Sequence, residues 1–183
     1  MADMTRKGYG QVEPNHLSAQ HNGQIYAQLP AKVAGGATPI AVLENGQFLK
    51  YNYAGGRAST DGDGEWMLVY NEEKLYDERR QAHKDFAAKA ADMFDGLIYP
   101  RLFKTNVGDI FTTNTFRNAS SATVANEDGT ITMPELEVGD YVTIDAAGWL
   151  KGAESKGNGM AFQVVKVDKL PDMQDAVKLQ RIQ

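Results

Sequence analysis

The sequence contains no cysteine. That absence excludes disulfides, CxxC redox chemistry, thiolate nucleophiles, zinc knuckles and iron–sulfur clusters together. Histidine is scarce, at three residues. His16 and His21 lie in a stretch without helical pattern and His83 stands alone, so the spacing of a metal set is missing. Basic residues are outnumbered, 19 Lys and Arg against 24 Asp and Glu, for a net charge of −5. This balance disfavours an extended nucleic-acid interface, whose affinity rests on neutralising phosphates. No run approaches the ~18 apolar residues of a membrane span, and the start Met1-Ala2-Asp3-Met4-Thr5-Arg6-Lys7-Gly8 lacks the apolar stretch of a signal peptide. A soluble protein working where it is synthesised is expected. Motifs of the GxSxG, GxGxxG, Walker A and HExxH types are also missing.

What is present suits a β-rich body. At 183 residues, 42% of them hydrophobic, the chain can bury about 70% of its unfolded surface without a covalent staple. Residues 1–24 carry Gly8, Gly10, Pro14, Asn15, Asn22 and Gly23, and their apolar residues hold neither a strand nor a helix period. They read as an extended N-terminal arm, more apolar than a flexible linker because of Tyr9, Val12 and Leu17, with Ile25 and Tyr26 following. Strand-like text follows. Pro39–Glu44 and Gln47–Tyr53 flank Asn45-Gly46, the dipeptide favoured in type I′ hairpin turns. Trp66-Met67-Leu68-Val69-Tyr70 is a near-continuous apolar run, as in a strand buried on both faces.

One segment predicts a helix, near 72–95, where Leu75, Ala82, Phe86, Ala90 and Met93 recur at three- and four-residue steps after the first turn and Gly96 is placed to end it. Beyond it, Val107-Gly108-Asp109 and Val138-Gly139-Asp140 open two similar strands, Glu127-Asp128-Gly129 signals a hairpin, and the text of 176–182 alternates. The expected architecture is mainly β, an antiparallel sandwich or small barrel with one helix. Its divisions are an arm at 1–24, a β-plus-helix portion at 25–105 and a small barrel-like portion at 106–183, the last two forming one domain or two.

Three constellations invite chemistry. Asp61-Gly62-Asp63-Gly64-Glu65 resembles the opening of a calcium loop, but an apolar strand follows where further ligands belong, and a solvated turn fits better. Ser59, Thr60 and Ser120-Ser121 have no histidine near them in sequence. Trp66 and Trp149 fall in strand-like runs, where the plain reading is core packing and the functional one is stacking on a glycan or peptide. No catalytic, cofactor-binding or metal-binding residue is expected.

The segments Lys7–Pro30, Glu65–Tyr76 and Tyr99–Asp109 resemble head-associated structural proteins of tailed bacteriophages. The resemblance implies a virion protein that decorates or cements the capsid without catalysis and resides in the host cytoplasm during assembly. Its partner would be the major capsid protein, contacted through the arm by Tyr9, Val12, Pro14, His16, Leu17, Ile25 and Tyr26, and the protein itself would be a homodimer or homotrimer. No nucleic-acid or membrane partner is expected. A glycan- or host-surface-binding β module of a head fibre or tail accessory is the alternative, and a hydrolase whose site only the fold assembles is a third reading.

Overall fold

The computed structural model describes residues 4–71, 87–117 and 130–183. The architecture is mainly antiparallel β, sandwich-like, with no sheet closed into a barrel. The barrel expected for 106–183 is therefore replaced by an open sheet. Three short strands lead the chain: β1 (Thr5–Lys7), β2 (Val12–His16) and, after the one-turn helix α1 (Ser18–Asn22), β3 (Ile25–Tyr26). The middle of the chain supplies β4 (Val42–Glu44), β5 (Phe48–Asn52), β6 (Arg57–Ser59), β7 (Met67–Val69), β8 (Ala87–Lys89) and β9 (Leu102–Phe103). The rest supplies β10 (Ile110–Thr113), β11 (Thr130–Thr132), β12 (Tyr141–Ile144), β13 (Leu150–Ala153), β14 (Ala161–Lys169) and β15 (Asp175–Arg181).

A six-stranded sheet in the order β13-β12-β14-β15-β10-β2 packs on a five-stranded sheet in the order β3-β9-β7-β5-β6. Strand alternation divides the five-stranded sheet between two cores. Phe48, Leu68 and Phe103 point toward the six-stranded sheet and meet Phe111, Phe162 and Leu179, with the Phe48 and Phe162 rings 5.7 Å apart. Their neighbours Leu49, Tyr51, Met67, Val69 and Leu102 point the other way, into a second core covered by Ala31, Leu43, Ala88 and Ile98. The apolar run at Met67–Val69 is thus a strand with every residue buried, as its composition implies.

The two Gly-Asp strand starts are one device used twice. Gly108 and Gly139 take φ of +97° and +101°, which glycine adopts without a side-chain clash. Asp109 accepts from the Asn106 amide at 2.9 Å and Asp140 from the Glu137 amide at 2.8 Å. The strands that follow, β10 and β12, flank the central β14–β15 pair on either side.

The leading residues correct the expectation of an arm. β2 is the edge strand of the large sheet beside β10, β1 pairs with β11, and β3 pairs with β9. Pro14, which has no amide to donate, is tolerated there because β2 lies at the edge. Leu17 stands at the N-cap of α1, fully buried in the first core, and its hydrocarbon side chain has no acceptor for the helix amides. Asp109 caps the helix from outside, accepting from the Ser18 amide and hydroxyl. The segment looked irregular because its pairing partners lie about a hundred residues away in sequence.

Two further expectations change. Asn45-Gly46 makes a turn, but β4 pairs with β8 while β5 pairs with β6 and β7, so no hairpin forms there. Gly46 takes a positive φ and Asn45 does not, as a type I′ turn would require. Asn45 instead turns inward, accepting from the Asn71 amide at 2.8 Å. Of the predicted helix, 72–86 lies outside the described residues. Its last part is strand β8 followed by a 3-10 turn at Ala90–Asp92, because β4 offers a ladder that outweighs the local alanine-rich pattern. The hairpin signal at Glu127–Gly129 also lies outside the described residues.

Leu17→Ala is expected to destabilise the protein by about 3 kcal/mol, read as a lower urea midpoint. Deleting residues 1–24 should abolish the dispersed amide spectrum of the folded chain. A truncated protein that keeps that spectrum would contradict the packing described.

Candidate functional site

A solvent-facing cleft opens where the five-stranded sheet meets the loop before β7. Its cavity, about 140 Å³, is walled by Tyr26, Tyr51 and Tyr53, with Glu65, Met67 and Lys104 completing it. Tyr51 and Tyr53 share one face because strand side chains repeat every second residue. Tyr26 arrives from β3. The rings meet edge to face, Tyr26 on Tyr51 at 5.6 Å and Tyr51 on Tyr53 at 5.4 Å. Tyr51 is buried and its hydroxyl accepts from the Gln28 amide at 3.0 Å. Burial raises its pKa, against the lowering effect of that hydrogen bond. Tyr53 is 71% exposed and offers its ring to solvent.

The polar rim is charged and internally paired. Glu65 bridges Lys104, at 3.4 Å, and Arg181, which also donates to the backbone carbonyl of Thr105. Lys50 lies over the Trp66 ring with its ammonium 4.5 Å from the centroid, a cation–π contact beside the cleft. An aromatic floor with a carboxylate and an ammonium at its edge suits an amphipathic ligand of about one ring, such as a sugar or an aromatic side chain.

The acidic stretch beneath the cleft is a structural turn. Asp61 accepts from Arg57 at 2.6 Å, from the Gly35 amide at 2.6 Å and from the Ser59 hydroxyl. Gly62 lies so close to Tyr51 that a Cβ there would overlap the Tyr51 carbonyl. The turn therefore props the tyrosine shelf, and its first and last carboxylates, Asp61 and Glu65, are taken by cations of the same chain.

The residues singled out from sequence for partner contact do not form one surface. Val12 and Leu17 are in the core, Ile25 packs against it, and Pro14 is half-buried in the edge strand. His16 is exposed, its ring 6.3 Å from that of His21. Tyr9 is half-buried near the Lys89 ammonium, 5.4 Å from the ring centroid. Tyr26 alone reaches the cleft. Tyr51 and Tyr53 were legible as a same-face pair and Glu65 as the end of the acidic stretch, whereas Lys104 comes to the cleft from just past β9 with no local signal. Of the tryptophans, Trp149 is buried and Trp66 half-buried.

The Arg57 hydrogen bond, followed by those of Ser59 and Gly35, holds the Asp61 carboxyl well below the usual carboxylate range. A carboxyl depressed in the folded state stabilises it above the unfolded pKa of about 3.9, and that contribution is lost as pH falls through the folded value. Wild-type stability, measured by urea unfolding, is expected to fall more steeply below about pH 4 than that of Asp61→Asn. Parallel curves would remove this role. Comparison with protein-family models, with curated proteins and with solved structures finds no match to the chain.

Proposed function

We propose that the chain is a non-catalytic structural protein of a tailed-phage virion, a decoration or auxiliary head protein that attaches to the major capsid protein. Two things support the reading: the sequence resemblance described above and the antiparallel sandwich, a body that resists deformation and presents loops at its ends. Because the leading residues belong to that body, attachment is assigned to projecting side chains rather than to a free arm. The observation that carries this is Phe94. It is wholly exposed beyond the 3-10 turn, with Met93 at 38% and Tyr99 at 48% exposure in the same loop. Large apolar groups held in water at a loop tip are typical of surfaces that seat on another protein.

The second reading, a glycan-binding module, is favoured by the tyrosine cleft alone. One comparison separates the two. The full chain should co-sediment with particles of the phage that encodes it, and Phe94→Asp should lose most of that association, roughly a tenfold drop or more for a central anchor, while its amide spectrum is unchanged. Tyr53→Ala should leave particle association intact. Failure to associate with particles, together with glycan binding lost in Tyr53→Ala, would replace the first reading with the second.

A further inference from the structure

We propose that a buried oxyanion site lies under β1, with the Arg6 guanidinium as its fork and a carboxylate or phosphate as its ligand. The Arg6 side chain has no solvent exposure. Its Nη1 donates to the Gly8 carbonyl at 2.9 Å and to Glu44 Oε2 at 3.1 Å. Its Nε and Nη2, the two parallel donors along the other edge, are buried and have no partner among the described residues. That edge is the one on which a planar carboxylate or a phosphate seats with two bonds at once.

The surroundings reinforce the demand for an anion. Arg117 lies within electrostatic reach of Asp145 and, more weakly, of Glu44 and Arg6. It stacks on Trp149, 3.9 Å from guanidinium carbon to ring centroid, and its Nε is likewise buried and unpartnered. Asn114 spends its carbonyl on the Gln11 amide at 2.7 Å, leaving its Nδ2 without an acceptor. Among the described residues Glu44 is the one carboxylate bonded to Arg6, and its Oε2 is shared with the Gly10 amide at 2.7 Å. Among the described residues, every buried side-chain atom without a partner is a nitrogen donor. Glu44 answers one edge of Arg6, and the donors of its other edge lack an acceptor among the described residues. A carboxylate or phosphate engages both free donors of the fork at once, where a water would meet them singly.

The enclosure means that the ligand enters during folding or when β1 opens, so the site is loaded by refolding. Full-length protein, unfolded and refolded in chloride buffer, is titrated with inorganic phosphate and, separately, with acetate at matched ionic strength. A saturable rise in the thermal midpoint is expected with at least one of them, and the more effective probe identifies the ligand class. Arg6→Lys keeps the charge but loses the fork, and should weaken half-saturation by roughly tenfold or more. Should that variant not fold, Glu44→Gln decides the question. It keeps an acceptor for Arg6 and for the Gly10 amide but removes the carboxylate charge beside the guanidinium, and should lower the half-saturation concentration of the effective anion severalfold. No saturable shift with phosphate or acetate in the wild type, or an unchanged half-saturation in Glu44→Gln, would overturn the proposal.

Discussion

The structure depends on the double burial of its five-stranded sheet. β5, β7 and β9 are short, and both of their faces carry apolar side chains that water would leave uncovered. Each sends alternate residues into opposite cores, Phe48 against Leu49, Leu68 against Met67 and Val69, Phe103 against Leu102. The sheet consequently needs cover on both sides. The six-stranded sheet supplies one cover, and the β4–β8 pair with the loops around Ala31 and Ile98 supplies the other.

That requirement explains why the surface features lie where they do. The tyrosine cleft is at the margin of the second core, where Tyr51 is buried and Tyr53, two residues on, has run out of cover. The arginine cluster sits near the Asn45-Gly46 turn, where Thr115 packs against Gly46 and donates to the Asn45 carbonyl at 2.8 Å. Polar groups accumulate at this junction because a chain passing between sheets must interrupt its ladders and satisfy the backbone with side chains instead.

Much of the six-stranded sheet was legible in the sequence. The Gly-Asp starts of β10 and β12 and the alternation of β15 are local signals, and the uninterrupted apolar run of β7 marked a strand without an exposed face. The misreadings share one cause. A dipeptide such as Asn45-Gly46 reports that the chain turns, but which strands pair is decided by ladders that local text does not contain. Ala87–Lys89 followed a helical spacing and became a strand because Val42–Glu44 was there to receive it. The leading segment looked unstructured because its apolar residues are interrupted by Pro14 and by polar positions, each of which makes sense only at the edge of a sheet. The cleft was legible only in part, through Tyr51, Tyr53 and Glu65, and the arginine cluster not at all, since Arg6, Glu44 and Arg117 carry no common spacing.

The three leading strands have a consequence for biosynthesis. Each pairs with a strand made much later, β3 with Leu102–Phe103, β2 with Ile110–Thr113 and β1 with Thr130–Thr132. At ribosomal speeds of about 5–20 residues per second, these three strands wait several seconds for their partners. During that interval Val12 and Leu17, later sealed in the main core, are free to meet the wrong neighbour. Residues 12–17 are thus open to mispairing for longer than the strands that later close on them.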